Sequence, residues 1–198
     1  MAELRERDVD PDPLRQFSRW FGEAAASGVA TPEAMALATA TADGRPSVRM
    51  LLLKGFDDRG FSFYTGYESR KGRELAENPR AALVFHWPGR QVRIEGMVER
   101  LPSEESDAYF ASRPRASRLS ALASRQSEVV GDRYELEARV TEFATIYSES
   151  DPPRPKRWGG YRLSPETYEL WQHRDDRLHD RLRYRRQGGR WIVERLSP

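Results

Sequence analysis

The stretch MALATATADGRPSVRMLLLK, residues 35–54, contains the strand and turn signals from which the fold of this chain is predicted. Residues 35–41 and 47–54 both predict β-strands, and Asp43-Gly44 between them is a strong signal for a tight hairpin turn. A hairpin makes consecutive strands antiparallel, whereas a parallel pair needs a crossover connection of a dozen or more residues. The stretch therefore predicts an antiparallel sheet.

The same pattern continues along the chain. Further strands are predicted at 61–65, 81–87 and 91–100, and a second group follows residue 159, so that about eight strands are expected in all. One of the second group spans 177–184. The chain has no G-x-G-x-x-G segment and no P-loop. We therefore expect a mostly β fold with flanking helices (α+β), in which the strands form an antiparallel barrel and not a parallel nucleotide-binding sheet.

Helices are predicted between these strands. Asp12 is placed to cap a helix that begins at Pro13, and apolar residues at helical spacing give that helix a core-facing stripe. Ser69 is placed to cap a second, short helix. A longer helix is predicted over 132–147, and the proline-rich segment 151–155 predicts a connector without a helix.

Composition limits the class of protein. A chain of 198 residues suits one domain with a real core, and 33 Lys+Arg against 31 Asp+Glu give no bulk charge that would attract nucleic acid or a membrane. The absence of cysteine excludes disulfides, thiolate metal sites and a cysteine nucleophile. No apolar run reaches membrane-span length, and the charged first residues do not resemble a signal peptide. We expect a cytoplasmic protein with an N-terminal arm (1–12) and a single domain (13–198) that includes the C-terminal strands 159–198.

The basic row R-L-H-D-R at 177–181 is the first candidate for function. If this segment is a strand, Arg177, His179 and Arg181 share one face, because side chains alternate between faces. The row would span about 13 Å, long enough to reach more than one anionic group. The spacing alone is more typical of an edge strand with a solvated charged face, so other segments must decide.

Other basic and hydroxyl side chains recur along the chain. They are Arg49 with Lys54, Ser69-Arg70-Lys71 at a helix start, Tyr109 with Arg113 and Ser117 at steps of four, and Gln126-Ser127. Free N–H groups and the helix dipole favour a phosphate at a helix start, but each group alone is typical of a solvated or structural position. Together they indicate an anion site assembled from several segments.

Two other kinds of site find no support. No Ser-His-Asp arrangement or nucleophile elbow can be identified. The three histidines, His86, His173 and His179, lack the spacing of metal ligands, so no metal site is expected.

Taken in order, these segments resemble the FMN-dependent pyridoxine/pyridoxamine 5'-phosphate oxidase family over residues 12–198. The resemblance is carried by R-M-L-L-L-K at 49–54, Tyr64-Thr65, S-R-K-G at 69–72, Gln91, Y-F-A-S-R-P-R-A-S at 109–117, Gln126-Ser127, W-G-G-Y at 158–161, Trp171-Gln172 and R-L-H-D-R at 177–181. It implies a split antiparallel β-barrel and a homodimer with FMN at the subunit interface.

The resemblance also implies residue roles. The implied FMN contacts are Arg49, Met50, Leu51, Leu52, Leu53, Lys54, Tyr64, Thr65, Arg70, Lys71, Gln91, Gln126, Ser127, Trp171 and Arg181. The implied clamp on the substrate phosphate is Lys54, Tyr109, Arg113 and Ser117. Arg177 and His179 are implied to lie over the pyridine ring, where they would bind the substrate and act in catalysis.

The implied activity is oxidation of pyridoxamine 5'-phosphate and pyridoxine 5'-phosphate to pyridoxal 5'-phosphate, a step of vitamin B6 metabolism, with dioxygen reduced to hydrogen peroxide. A phenazine-pathway flavin oxidase shares the R-L-H-[DE]-R block but has little use for a phosphate clamp. A non-catalytic flavin- or pyridoxal-phosphate-binding module is a second alternative. The chain departs from the family at His173, where the family commonly has glycine.

Overall fold

The computed structural model describes residues 3–198, which contain nine strands, five α-helices and a short 3-10 helix at Glu6–Asp8. The strands are β1 (Ala34–Ala40), β2 (Pro46–Leu52), β3 (Gly55–Asp57), β4 (Gly60–Gly66), β5 (Arg80–Trp87), β6 (Arg90–Arg100), β7 (Trp158–Gln172), β8 (Asp180–Gln187) and β9 (Arg190–Arg195). The helices are α1 (Pro13–Ala26), α2 (Arg70–Glu77), α3 (Ser103–Ser112), α4 (Arg115–Ala123) and α5 (Arg133–Ile146).

All strand pairs are antiparallel, as the hairpin signals predict. The order is β2-β1-β5-β6-β7-β4-β3, with β8 added to β7 and β9 added to β8. The opening hairpin pairs Ala34 with Leu52 and Ala40 with Pro46. A hairpin turn joins two strands that are neighbours in the sequence. Turn signals were therefore sufficient to predict the antiparallel pairing.

Strand β7 runs continuously, whereas the sequence predicts two separate strands there, at 159–163 and 167–172. Its first half pairs with β4 and its second half with β8, while β6 pairs along most of its length. The register of this pair shifts between Glu95 and Gly96 of β6, where Glu166 of β7 is the extra, unpaired residue of a bulge. A Cβ on Gly96 would collide with the carbonyl of Ser164, so this close approach requires glycine.

Helix α1 covers the core side of the sheet. The Asp12 carboxylate accepts a hydrogen bond from Leu14 N at 2.9 Å, which confirms the predicted cap. Phe17 and Trp20 are buried, and the Phe17 ring meets Phe61 edge-on at 4.9 Å between ring centroids. The predicted apolar stripe therefore forms one wall of the aromatic core.

The other helices flank the sheet at the end that carries the cavity described below. Ser69 Oγ accepts from Gly72 N at 3.3 Å and caps α2 as predicted. The sequence predicts a short helix over 118–124. Helix α4 begins earlier, at Arg115, because Pro114 immediately before it takes a conformation suited to a helix start. No residue of α5 is buried.

The N-terminal residues pack against the last strands. Leu4 and Val9 are buried, and Leu4 N donates to the Asp180 carboxylate at 3.1 Å. Arg195 reaches back to the Glu6 carboxylate. The predicted arm begins at residues 1 and 2, which lie outside the described part of the chain. Across residues 3–198, none of the helices combines the length and the apolar character that crossing a membrane would need.

Candidate functional site

A cavity of about 610 Å³ opens between β2, β4, α3 and α4. The predicted site residues that line it are Met50, Leu51, Leu52, Lys54, Tyr64, Thr65, Tyr109, Arg113, Ser117 and Gln126. The cavity therefore brings together all four members of the implied phosphate clamp and six further residues of the implied FMN set.

Aromatic rings form one wall of this cavity. The Tyr64 and Tyr109 rings stack with centroids 3.8 Å apart, and Trp158 lies parallel to Tyr64 at 5.6 Å. The Arg113 guanidinium lies over the Trp158 ring at 4.7 Å from its centroid. Sequence reasoning gave Trp158 no role, because only the tertiary structure shows that it supports the arginine.

Arg113 has an unsatisfied donor at this cavity. Its Nη1 atom is buried and has no hydrogen-bond partner among residues 3–198. Burial lowers the pKa of Arg113, although the guanidinium remains charged near neutral pH. An anion beside Lys54, Tyr109 and Ser117 would supply the missing acceptor. The donor set therefore fits a phosphate.

The loop after α4 is held against β4 by Gln126. Its side-chain oxygen accepts hydrogen bonds from Thr65 Oγ1 at 2.8 Å and from Gly66 N at 3.1 Å. Ser127 has a left-handed φ of 75° and does not line the cavity. Gln126 thus joins two segments of the predicted site, whereas Ser127 lies outside the cavity lining.

A second basic group lies directly behind the cavity lining. Lys71 is buried, and its Nζ atom donates to Thr65 Oγ1 at 3.1 Å and approaches Ser69 Oγ at 3.4 Å. Both hydroxyl residues line the cavity. Burial, with a smaller effect of the nearby Arg49, lowers the pKa of Lys71 to about 8. A buried ammonium held by hydroxyl groups also fits a phosphate.

Arg49 and Arg70 share one carboxylate, that of Glu74. Arg49 Nη2 lies 3.3 Å from Glu74 Oε2, and Arg70 Nε lies 2.9 Å from Glu74 Oε1. Sequence reasoning missed Glu74. Its spacing of four from Arg70 indicates an ordinary surface pair on a helix, and only the structure shows that the carboxylate is buried.

Leu53, in contrast, is a core residue. Its side chain is only 5 % exposed and belongs to the main hydrophobic core. It does not line the cavity. Any FMN contact from this position would have to come from the backbone.

The remaining predicted residues form a second group at the other end of the sheet. Gln91 pairs with Trp171, and Trp171 pairs with Arg181 across β6, β7 and β8. The His179 ring lies 4.7 Å from the Trp171 ring. Arg177 belongs to the loop that leads into this group.

The prediction that residues 177–181 lie on a strand is wrong for the first half of this segment. Strand β8 begins only at Asp180, and Arg177 has a left-handed φ of 63°, so Arg177 and His179 lie in the preceding loop. The alternation of side chains therefore does not apply to them. Arg181 lies on the strand, and its Nε donates to Glu169 Oε1 at 2.8 Å.

The two groups are far apart in one chain. Trp158 stands in the cavity wall and Trp171 in the second group, and both belong to β7. The strand between them is roughly 40 Å long at about 3.3 Å per residue. A single copy of the chain does not place Arg177 or His179 on the lining of the cavity.

His173 is accommodated without strain. Its backbone φ is not in the left-handed region, its N–H donates to Gly89 O at 2.9 Å, and its ring lies 5.3 Å from that of His179. The structure therefore does not require glycine at this position. His179 Nδ1 accepts from Arg174 N at 3.1 Å, which places the proton of a neutral His179 ring on Nε2.

Strand β2 carries an uncovered apolar stripe. Val48 is 69 % exposed, Met50 65 % and Leu52 40 %, on an edge strand of the sheet. A contiguous apolar row on an open edge is typical of an interaction surface. No group of three metal-ligating side chains is found in residues 3–198.

Comparison with known proteins gives two family matches. Residues 21–147 match the family described as pyridoxamine 5'-phosphate oxidase. Residues 158–198 match the pyridoxine 5'-phosphate oxidase C-terminal dimerisation region.

Individual proteins are similar over the whole chain. A pyridoxine/pyridoxamine 5'-phosphate oxidase of Cupriavidus necator is 57% identical over 201 residues, covering 100% of this chain and 94% of that protein. One of Rubrobacter xylanophilus is 57% identical over 199 residues, covering 100% and 92%. The crystal structure of PhzG from Burkholderia lata 383 in complex with tetrahydrophenazine-1-carboxylic acid has a TM-score of 0.93 and 38% identity, covering 100% of this chain and 98% of PhzG.

Proposed function

Because this chain belongs to the pyridoxine/pyridoxamine 5'-phosphate oxidase family, we propose that it oxidises pyridoxamine 5'-phosphate and pyridoxine 5'-phosphate to pyridoxal 5'-phosphate with FMN and dioxygen. Family membership also confirms the predicted split-barrel architecture. The observation that carries the proposed activity is the unpartnered Arg113 Nη1 in a cavity shared with Lys54, Tyr109 and Ser117.

FMN would be held by two parts of this surface. Lys71, Arg49 and Arg70 offer cations to its phosphate, beside the hydroxyls of Thr65 and Ser69. The strand segment Met50–Leu52 and the Gln126 loop line the adjoining cavity. When bound, FMN supplies the chemistry of the reaction by accepting a hydride from the substrate and passing the electrons to dioxygen, which gives hydrogen peroxide.

The substrate phosphate would lie against Arg113. A phosphate that carries close to two negative charges is well matched by an arginine, a lysine and two hydroxyls. Here these are Arg113, Lys54, Tyr109 and Ser117. Holding the phosphate end fixes where the exocyclic C4' carbon, attached to the pyridine ring, lies, so that these residues contribute mainly to orientation. Oxidation at C4' gives the aldehyde from the alcohol, and from the amine gives an imine that water hydrolyses to aldehyde and ammonia.

Arg177 and His179 would act on the ring of the substrate. The Arg177 guanidinium can stabilise negative charge that develops on the ring, and the Nε2–H of His179 can donate a hydrogen bond to it or move a proton. Their distance along β7 from the cavity means that the partner copy would supply them. The exposed stripe on β2 and the match to a dimerisation region support this homodimer.

The proposed activity has a direct test. The purified protein, loaded with FMN and mixed with pyridoxine 5'-phosphate or pyridoxamine 5'-phosphate in air, is expected to release pyridoxal 5'-phosphate and hydrogen peroxide in equal amounts. Without dioxygen, either substrate is expected to bleach the flavin absorbance. A protein that binds FMN but is bleached by neither substrate would contradict the proposal.

The similarity to PhzG defines a second candidate activity, on a tricyclic carboxylate. A substrate of this kind has no phosphate, so it would offer Arg113 Nη1 a poorer hydrogen-bond acceptor. The higher identity to the pyridoxine/pyridoxamine 5'-phosphate oxidases, 57% against 38%, also favours the phosphate substrates. Comparing kcat/KM for pyridoxine 5'-phosphate and for tetrahydrophenazine-1-carboxylic acid separates the two activities.

FMN binding is expected to weaken at high pH. The pKa of Lys71 in the free protein is about 8, below its ordinary value, so the ammonium that would face the phosphate is present below pH 8 and is lost as the pH rises through it. The Kd for FMN should therefore be level up to pH 8 and then rise, by at most about tenfold per pH unit. Fluorescence titration between about pH 7 and pH 9.5 measures it. Lys71→Met should bind FMN weakly with no such rise, and an equal rise in that variant would assign the effect to another group.

A further inference from the structure

Glu74 is a buried carboxylate on the inner side of α2, with a side chain only 4% exposed. Its Oε2 atom accepts hydrogen bonds from Ser47 Oγ at 2.6 Å and from Thr39 Oγ1, and lies 3.3 Å from Arg49 Nη2. Its Oε1 atom accepts from Arg70 Nε at 2.9 Å. The two oxygens therefore hold two different arginines, one from β2 and one from α2.

The carboxylate is ionised across the working pH range. Burial alone would raise the pKa of Glu74, but the hydrogen bonds from Ser47, Thr39, Arg70 and Arg49 outweigh it and lower the pKa to about 2. A buried ion pair of this kind contributes little net stability compared with an apolar replacement. The pair therefore fixes the geometry of its members more than it adds stability.

The charges around Glu74 leave a positive excess. Arg49, Arg70 and Lys71 carry three positive charges against the single carboxylate of Glu74, and Lys71 donates only to hydroxyl groups in the described structure. Two uncompensated positive charges match the charge of a phosphate monoester, close to two negative charges at neutral pH. The group is thus balanced only when a phosphate is present.

We propose that Glu74 is a positioning residue for the phosphate end of the flavin. By bridging Arg49 and Arg70 through separate oxygens, it orients both guanidinium groups before the cofactor arrives, which lowers the entropy lost on binding. Glu74 itself does not touch the phosphate, since its oxygens are already occupied and would repel it. This inference rests on the proposed function, because it takes FMN as the ligand.

Riboflavin separates this role from a purely structural one, because it carries the same ring system without the phosphate. In Glu74→Gln one oxygen becomes an N–H donor, so the side chain can hold only one of the two arginines. We expect the Kd for FMN, measured by flavin fluorescence in the apoprotein, to rise about 10- to 100-fold, which is the loss of one or two charge-assisted hydrogen bonds. The Kd for riboflavin should change by less than about twofold. Glu77→Gln, an exposed glutamate on the same helix, is the control and should leave both constants unchanged.

Glu74→Asp protects the test against a folding defect. It keeps the buried charge, but it is one methylene shorter and cannot span both arginines, so a smaller loss confined to FMN is expected. Equal losses for FMN and riboflavin in either variant, or an unchanged Kd for FMN in both, would overturn the positioning role. Absence of FMN binding by the unmodified chain would instead overturn the proposed function and this inference with it.

Discussion

Replacing Arg113 by alanine is expected to raise the KM for pyridoxine 5'-phosphate about 100-fold, while the Kd for FMN changes by less than about threefold. The reason is that Arg113 Nη1 is buried and has no hydrogen-bond partner in the described structure, and the proposed substrate phosphate would supply one. Losing the hydrogen bonds of one charged group costs about 2 to 3 kcal/mol, which corresponds to that change in KM. Steady-state kinetics with saturating FMN, together with a fluorescence titration of FMN, give both numbers.

Arg115→Ala is the matched control for this variant. Arg115 lies two residues away at the start of α4, but it donates to the backbone carbonyl of Ser150 at 3.0 Å and does not line the cavity. Its loss should leave the KM near the value of the unmodified enzyme. Losses of equal size in substrate and FMN binding by Arg113→Ala would contradict the assignment of Arg113 to the substrate phosphate.

Combining two damaged variants in one dimer is expected to restore about half of the full activity, measured at a substrate concentration well below the raised KM of Arg113→Ala. Arg113→Ala damages the phosphate clamp in the cavity, and Arg177→Ala damages the second group, roughly 40 Å away along β7. If each active site takes the cavity of one copy and the loop of the other, a mixed dimer contains one intact site and one doubly damaged site. One intact site out of two in every mixed dimer gives the expected half. Coexpression with two different affinity tags, followed by assay of the doubly tagged dimer, measures it.

Lys54→Ala paired with Arg113→Ala is the control for this experiment. Both residues line the same cavity, so every site of the mixed dimer carries one damaged clamp and activity should stay low. Recovery of activity in this control pair would show that recovery does not depend on a site shared between copies. No recovery by Arg113→Ala with Arg177→Ala, in dimers shown to be mixed, would contradict a site shared between copies.

The sequence predicted the site most accurately where the chain is local. The Asp12 and Ser69 caps and the hairpin at 43–44 depend on neighbouring residues, and all three are observed. Tyr109, Arg113 and Ser117 also line one cavity, because steps of four across two short helices keep the three residues near one another. The strand assigned to 177–184 fails in its first half, since Arg177 takes a left-handed turn that its side chain does not signal.

Local sequence patterns predict the antiparallel sheet, the helix caps and the positions of the basic residues, because turns, caps and charges are properties of short segments. Which of those residues meet becomes visible only in the folded chain. It placed Arg113 over Trp158, buried Glu74 between two arginines, and separated the cavity from Arg177 and His179 by the length of one strand. Burial and long-range distance arise from packing between segments far apart in the chain, and no local pattern encodes them.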